Sequence, residues 1–213
     1  MAGAAARRRP VWLHPAAKPI LFVAALLPFA WLLYAAIANQ LGPNPQEYLI
    51  RSLGDWTLRF LCLTLAVTPL RVVTHQPALA RFRRMLGLFT FFYAALHLLG
   101  YAWFDMGLEF DEIARDIAKR PFILVGFAAF VLMAPLAATS FNRAIRTLGA
   151  VRWQALHRAV YAVAGLGILH FFWMRAGKND FAEVFVYAGI LAVLLGWRVW
   201  QRWGAARLRP QRG

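Results

Sequence analysis

Three histidines, His97, His157 and His170, stand inside long apolar runs of the chain. An ionisable group at membrane depth is costly and usually functional. Histidines projecting inward from packed helices are also a common way to hold a haem iron. With a rise of ~1.5 Å per residue, His97 lies about 20 Å along its helix from Arg84. Measured from Arg152, His157 lies about 7 Å in and His170 about 27 Å in. His97 and His170 therefore share a depth on different helices, where they can ligate opposite faces of one haem. No C-x-x-C-H is present, so the haem would be of b type. A lone intramembrane histidine often bonds only to a neighbouring helix; the depth-matched pair favours haem.

His157 is spaced from His170 as in bundles that stack two haems across a membrane. The position 14 before His97 is Arg83, beside Arg84. Arginine stays protonated and is a poor axial ligand, but it suits a haem propionate or a flavin phosphate. The candidate cofactor residues are thus His97, His170, His157, Arg83 and Arg84, with one or two haems. On a regular helix His157 and His170 would point about 140° apart. Either a distortion near Gly165 and Gly167 realigns them, or they face different partners. His14 and His75 sit beside prolines near the ends of apolar runs and are expected to be solvated.

The elements that must position these groups are membrane spans. The chain has 213 residues, 61% hydrophobic and 15% charged, where a soluble domain would be about a quarter charged. Six segments can cross a hydrocarbon layer about 30 Å thick: Pro19–Ala38, Trp56–Val73, Leu86–Phe104, Phe122–Thr139, Trp153–Met174 and Phe181–Val199. The expected fold is an all-α bundle of six transmembrane helices. Lys and Arg cluster before the first span, in alternate loops and after the last: Arg7–Arg9 and Lys18; Arg71, Arg81, Arg83 and Arg84; Arg143, Arg146 and Arg152; Arg198, Arg202, Arg207, Arg209 and Arg212. The positive-inside rule then places both termini in the cytoplasm. The nine acidic residues fall towards the other side. This pattern accounts for the net charge of +15, so no nucleic-acid partner is expected.

Smaller features fit around this frame. The first segment has a signal-peptide-like start, but its length and Pro28 favour a retained helix. Cys62 reads as a buried small hydrophobe. Arg59 and Asp55 are placed to pair at i, i+4, or Arg59 contacts a propionate or a quinone headgroup. Thr64, Thr68, Thr139 and Ser140 can bond their own helix backbones. In the loop from Phe104 to Arg120, Phe110, Ile113, Ala114 and Ile117 recur at helical spacing. That predicts a short amphipathic helix, lying on the membrane or serving as a docking surface. No regular repeat of 20–50 residues is visible.

Several short motifs occur in a fixed order: Gly42-Pro43-Asn44-Pro45 with Glu47, Thr68-Pro69-Leu70, Arg83-Arg84-Met85-Leu86-Gly87-Leu88, Tyr93, Leu96-His97, Arg120-Pro121, Leu136-Ala137, Thr139-Ser140, Leu148-Gly149, Trp153, Leu156-His157, Tyr161 and His170. In this order the chain resembles the MsrQ (YedZ) family of the ferric-reductase-like transmembrane group, over nearly its whole length. The resemblance implies a single haem-binding domain over residues 1–213 in the bacterial inner membrane. It implies electrons drawn from the quinone pool, or from a cytoplasmic flavin reductase. They would pass to MsrP, a periplasmic molybdopterin enzyme that repairs methionine sulfoxide in envelope proteins. It also implies b-type haem on His97 and His170, with His157 associated, and FMN. No G-x-G-x-x-G is present, so the donor is expected to be lipid-soluble or a separate protein, and no substrate chemistry of its own is expected. The contrasting expectation is a haem-free transporter or assembly subunit, for which Pro28 and Pro135 would mark broken helices.

Overall fold

The structure is a computed structural model that describes residues 13–177 and 179–207. Arg7, Arg8, Arg9, Arg209 and Arg212 of the basic pattern lie outside these residues. The described chain is helical: α1 Ala17–Ile37, α2 Pro45–Val73, α3 Ala80–Gly100, α4 Phe110–Lys119, α5 Pro121–Ala138, α6 Asn142–His157, α7 Val160–Ala176 and α8 Ala182–Arg207. Among the described residues, six spans are long and apolar enough to cross a bilayer: Ala17–Ile37, Pro45–Val73, Pro77–Asp105, Pro121–Ala138, Asn142–Ala176 and Ala182–Gln201. Large apolar side chains such as Leu27, Phe185 and Val193 are exposed, as expected where lipid is the solvent. The chain is a multi-pass membrane protein.

The start of α2 follows capping chemistry more closely than hydropathy. α2 begins at Pro45, eleven residues before the expected Trp56. Asn44 caps it by accepting the Glu47 N–H at 3.3 Å and donating to the Glu47 carboxylate at 2.8 Å. Proline at the first helical position completes the start. The first turns are polar, and Glu47 pairs with Arg51, so an apolar window misses them. α3 starts at Ala80 instead of Leu86, with no side-chain cap.

The expected helix from Trp153 to Met174 is broken. α6 ends at His157 and α7 starts at Val160. The break lies at Arg158–Ala159, whereas Gly165 and Gly167 sit inside an unbroken α7. His157 and His170 therefore belong to different helices, and the angle drawn for one regular helix does not apply.

α2 packs most extensively on α3, and α5 on α7. Between α2 and α3, Phe60 stacks on Tyr93 at 5.2 Å and on Phe89 at 5.6 Å. Tyr93, fully buried, reaches into α1 beside Pro28. Its hydroxyl donates to the Ala25 carbonyl at 2.8 Å and accepts the Phe29 N–H at 3.1 Å. Those two backbone groups would otherwise bond each other along the helix. The hydroxyl thus bridges the backbone at the proline and ties α1 to α3. A second core cluster joins Leu61, Leu65, Ala94, Met133, Val163 and Leu191 from five helices.

Helix direction segregates charge. The end that carries the starts of α2, α5 and α8 and the whole of α4 holds the acidic residues; it is called the acidic face here. The opposite, basic face carries Arg71, Arg81, Arg83, Arg84, Arg143, Arg146 and Arg152. α4 is the amphipathic helix expected between Phe104 and Arg120. Tyr101, in a π-helical turn that closes α3, donates to Asp116 of α4 at 2.7 Å. Asp116 also pairs with Arg120 at 2.8 Å.

Candidate functional site

His97 on α3 and His170 on α7 face each other, with ring centroids 6.2 Å apart and planes at 75°. Both line one cavity of about 690 Å³ towards the acidic face. Their second nitrogens are engaged in the same way. His97 Nδ1 lies 2.8 Å from the Ile50 carbonyl on α2. His170 Nδ1 lies 2.6 Å from the Phe122 carbonyl on α5. A carbonyl can only accept, so each Nδ1 carries the proton and each Nε2 keeps its lone pair. That is the tautomer a metal-ligating histidine adopts.

A glycine makes each seat possible. A Cβ at Gly54 would come within 3.2 Å of the His97 ring, and one at Gly126 within 2.7 Å of His170 Nδ1. In both cases the glycine lies one helical turn beyond the carbonyl that holds the ring. Ile50 to Phe122 and Gly54 to Gly126 are both steps of 72 residues, and His97 to His170 is a step of 73. The correspondence extends along the cavity wall: Thr57, Leu58 and Leu61 of α2 match Ala129, Phe130 and Met133 of α5. Ala94, Leu98 and Tyr101 match Gly167, Phe171 and Met174. The hairpins α2–α3 and α5–α7 are therefore a twofold repeat around the histidine pair. Its side chains differ at most positions and its period exceeds 70 residues, so sequence inspection missed it.

His157 lies elsewhere, in a second cavity of about 500 Å³ towards the basic face, together with Arg83 and Arg84. Its ring stacks on Trp153 at 3.9 Å. Its Nε2 is 3.1 Å from the Thr139 hydroxyl. That hydroxyl donates to the Pro135 carbonyl at 2.7 Å, so His157 Nε2 is the donor of the pair. No second histidine lines this cavity among the described residues. By the same step of 73 residues Arg84 corresponds to His157, and Arg83 and Arg84 both line this cavity. Leu61, Met133 and Val163 line both cavities and form the wall between them.

The remaining polar groups are accounted for locally. Arg59 donates to the Tyr187 hydroxyl at 3.1 Å and lies over the Trp56 ring at 4.6 Å; it makes no ion pair with Asp55. Thr64, Thr139 and Ser140 bond backbone carbonyls one turn back. Cys62 is buried. His14 is exposed and accepts the Ala16 N–H, and His75 is exposed at a positive-φ turn after α2.

The donor set fits haem. No group of three or more His, Cys, Asp or Glu gathers among the described residues. Two opposed imidazoles suit an iron whose other positions a macrocycle fills. Metal–nitrogen bonds of about 2.0–2.1 Å on both sides would separate the ring centroids by roughly 6 Å, and the rings stand at 6.2 Å.

Fold and site together define a multi-pass helical membrane protein built around an opposed histidine pair. Residues 53–168 match the model of the family described as ferric reductase like transmembrane component. That stretch includes Gly54, His97, Gly126 and His157 and stops two residues before His170. The chain belongs to the MsrQ family within this group. It is 69% identical over 209 residues to the protein-methionine-sulfoxide reductase heme-binding subunit MsrQ of Polaromonas naphthalenivorans, covering 98% of this chain and 95% of the relative. The protein of the same name from Bordetella pertussis is 58% identical, over 89% of this chain and 93% of its own. That from Xanthomonas euvesicatoria is 45% identical, over 92% of each. No solved structure matches.

Proposed function

We propose that this chain is a b-type cytochrome that carries electrons across the bacterial inner membrane, with residues 1–213 as one haem-binding domain and both termini cytoplasmic. The observation that carries the reading is the twin seating of His97 and His170: opposed rings, each with Nδ1 tied to a backbone carbonyl. His97 and His170 would hold the haem iron. Haem, when bound, supplies a reversible one-electron iron couple. The residues' part would be to present two Nε2 lone pairs, one from α3 and one from α7, to the iron between them.

The basic-face cavity is the donor side. Arg83 and Arg84 favour an anionic group there, a flavin phosphate or a propionate. His157 and Trp153 offer a flat stacked surface beside them. FMN fits this chemistry, as the family resemblance implies. Electrons come from the quinone pool or a cytoplasmic flavin reductase. They leave at the acidic face for MsrP, the periplasmic molybdopterin enzyme that reduces methionine sulfoxide in envelope proteins. The names of the relatives, each the heme-binding subunit of a protein-methionine-sulfoxide reductase, support haem and a partnership with a methionine sulfoxide reductase.

The test is an optical spectrum of the detergent-purified protein, oxidised and then dithionite-reduced, with haem and flavin extracted and counted. Sharp reduced bands with about one haem per chain are expected, lost in His97→Ala and in His170→Ala. Bands that survive in both variants would sink the assignment.

A further inference from the structure

The twofold repeat is broken in one respect. Towards the acidic face, Arg51 and Asp55 on α2 stand where α5 has Ile123 and Phe127, and Tyr101 stands where α7 has Met174. Towards the other end the cavity closes on Leu58, Leu61, Phe130, Met133 and Val163, all apolar. The charged groups therefore occupy one end of the cavity, where Glu47, Asp55, Asp105 and Asp116 stand beside the cations.

Among the described residues lining this cavity, the cations are Arg51 and Arg120. They come from opposite halves of the repeat, Arg51 from α2 and Arg120 from the residue preceding α5. Each is steadied by an acid one turn back, Glu47 for Arg51 and Asp116 for Arg120. Arg120 meets Asp116 through Nε, which leaves its two terminal amino groups for a second anion. Arg51 meets Glu47 through one terminal nitrogen. A guanidinium has five donors in a fixed plane and can serve two carboxylates at once.

Resting on the haem reading above, we propose that Arg51 and Arg120 receive the two propionates of the haem. The carboxylate edge then faces the acidic face and α4, and the hydrocarbon edge lies against the wall of Leu61, Met133 and Val163. Burying the carboxylates at the opposite end would leave two charges against apolar side chains, which is strongly unfavourable. Arg51 and Arg120 are positioning residues: they set the rotation of the ring about the axis joining the two histidines.

The test uses the full-length protein stripped of haem and titrated with protohaem or with its dimethyl ester, which lacks the two charges. Wild type should bind protohaem at least about tenfold tighter than the ester, the difference expected for charge-assisted hydrogen bonds. Arg51→Gln and Arg120→Gln should each weaken protohaem binding while leaving ester binding unchanged, which also shows that the variants are folded. Equal affinity of wild type for the two haems overturns the proposal, and so does equal weakening of both haems in the variants. A wild-type chain that takes up neither haem overturns the cytochrome reading itself.

Discussion

Gly126 lies so close to His170 that a Cβ on it would stand 2.7 Å from the imidazole Nδ1, inside the distance at which real atoms pack. The ring has no retreat on that side, because the same nitrogen is held by the Phe122 carbonyl. The absence of one side chain on α5 therefore fixes the direction of a lone pair on α7. Gly54 does the same for His97 with more room, at 3.2 Å.

This relationship predicts a rank order. Gly126→Ala should displace His170 and weaken haem binding by about tenfold or more, since a lost charge-neutral hydrogen bond plus ring displacement amounts to at least ~1.4 kcal/mol. Gly54→Ala should have the same sign and a smaller size. Gly165→Ala, where nothing lies within 4 Å, should leave the haem bands unchanged and stabilise α7 by up to ~1 kcal/mol. Haem titration of the three variants checks the order, and an equal effect at Gly165 would contradict it.

A second prediction separates the cavities. His157→Ala should retain the haem of wild type, because its Nε2 is spent on Thr139 and it lines the other cavity. Reduction by a quinol analogue or a reduced flavin should slow. Haem content and the reduction rate, measured on the same preparation, test this together; loss of the haem bands would move His157 into the iron site.

Tyr93→Phe removes only the hydroxyl that bridges Ala25 and Phe29. Two backbone groups beside Pro28 would lose their partner, which should destabilise the protein by about 1–3 kcal/mol. Detergent-titrated unfolding should show the loss, with the haem spectrum unaltered. Unchanged stability would mean that the α1 backbone closes on itself when the hydroxyl is gone.

Tyr101→Phe should free α4. The hydroxyl is tied to Asp116 at 2.7 Å, and α4 has no buried residue of its own to hold it down. Amide hydrogen exchange across residues 110–119 should quicken relative to α5. Protection equal to wild type would show that the Asp116–Arg120 pair is enough.

The sequence by itself determined the six spans, the amphipathic α4 and the three histidines with their neighbouring arginines. Each is a local property: apolar runs, helical periodicity and residue identity survive without knowledge of the fold. The ordered short motifs carried the family for the same reason. Depth arithmetic even matched His97 with His170, because helical rise is uniform. Tertiary structure alone decided which nitrogens are free, because that depends on carbonyls of Ile50 and Phe122, nearly 50 residues away in each case. It also decided the break at Arg158–Ala159, which puts His157 and His170 on different helices, whereas their separation in depth already follows from helical rise. Nothing in the local sequence marks Gly54 and Gly126 as the glycines that make room for the rings. Close packing between helices, which composition and period do not encode, turned them into the seats of the site.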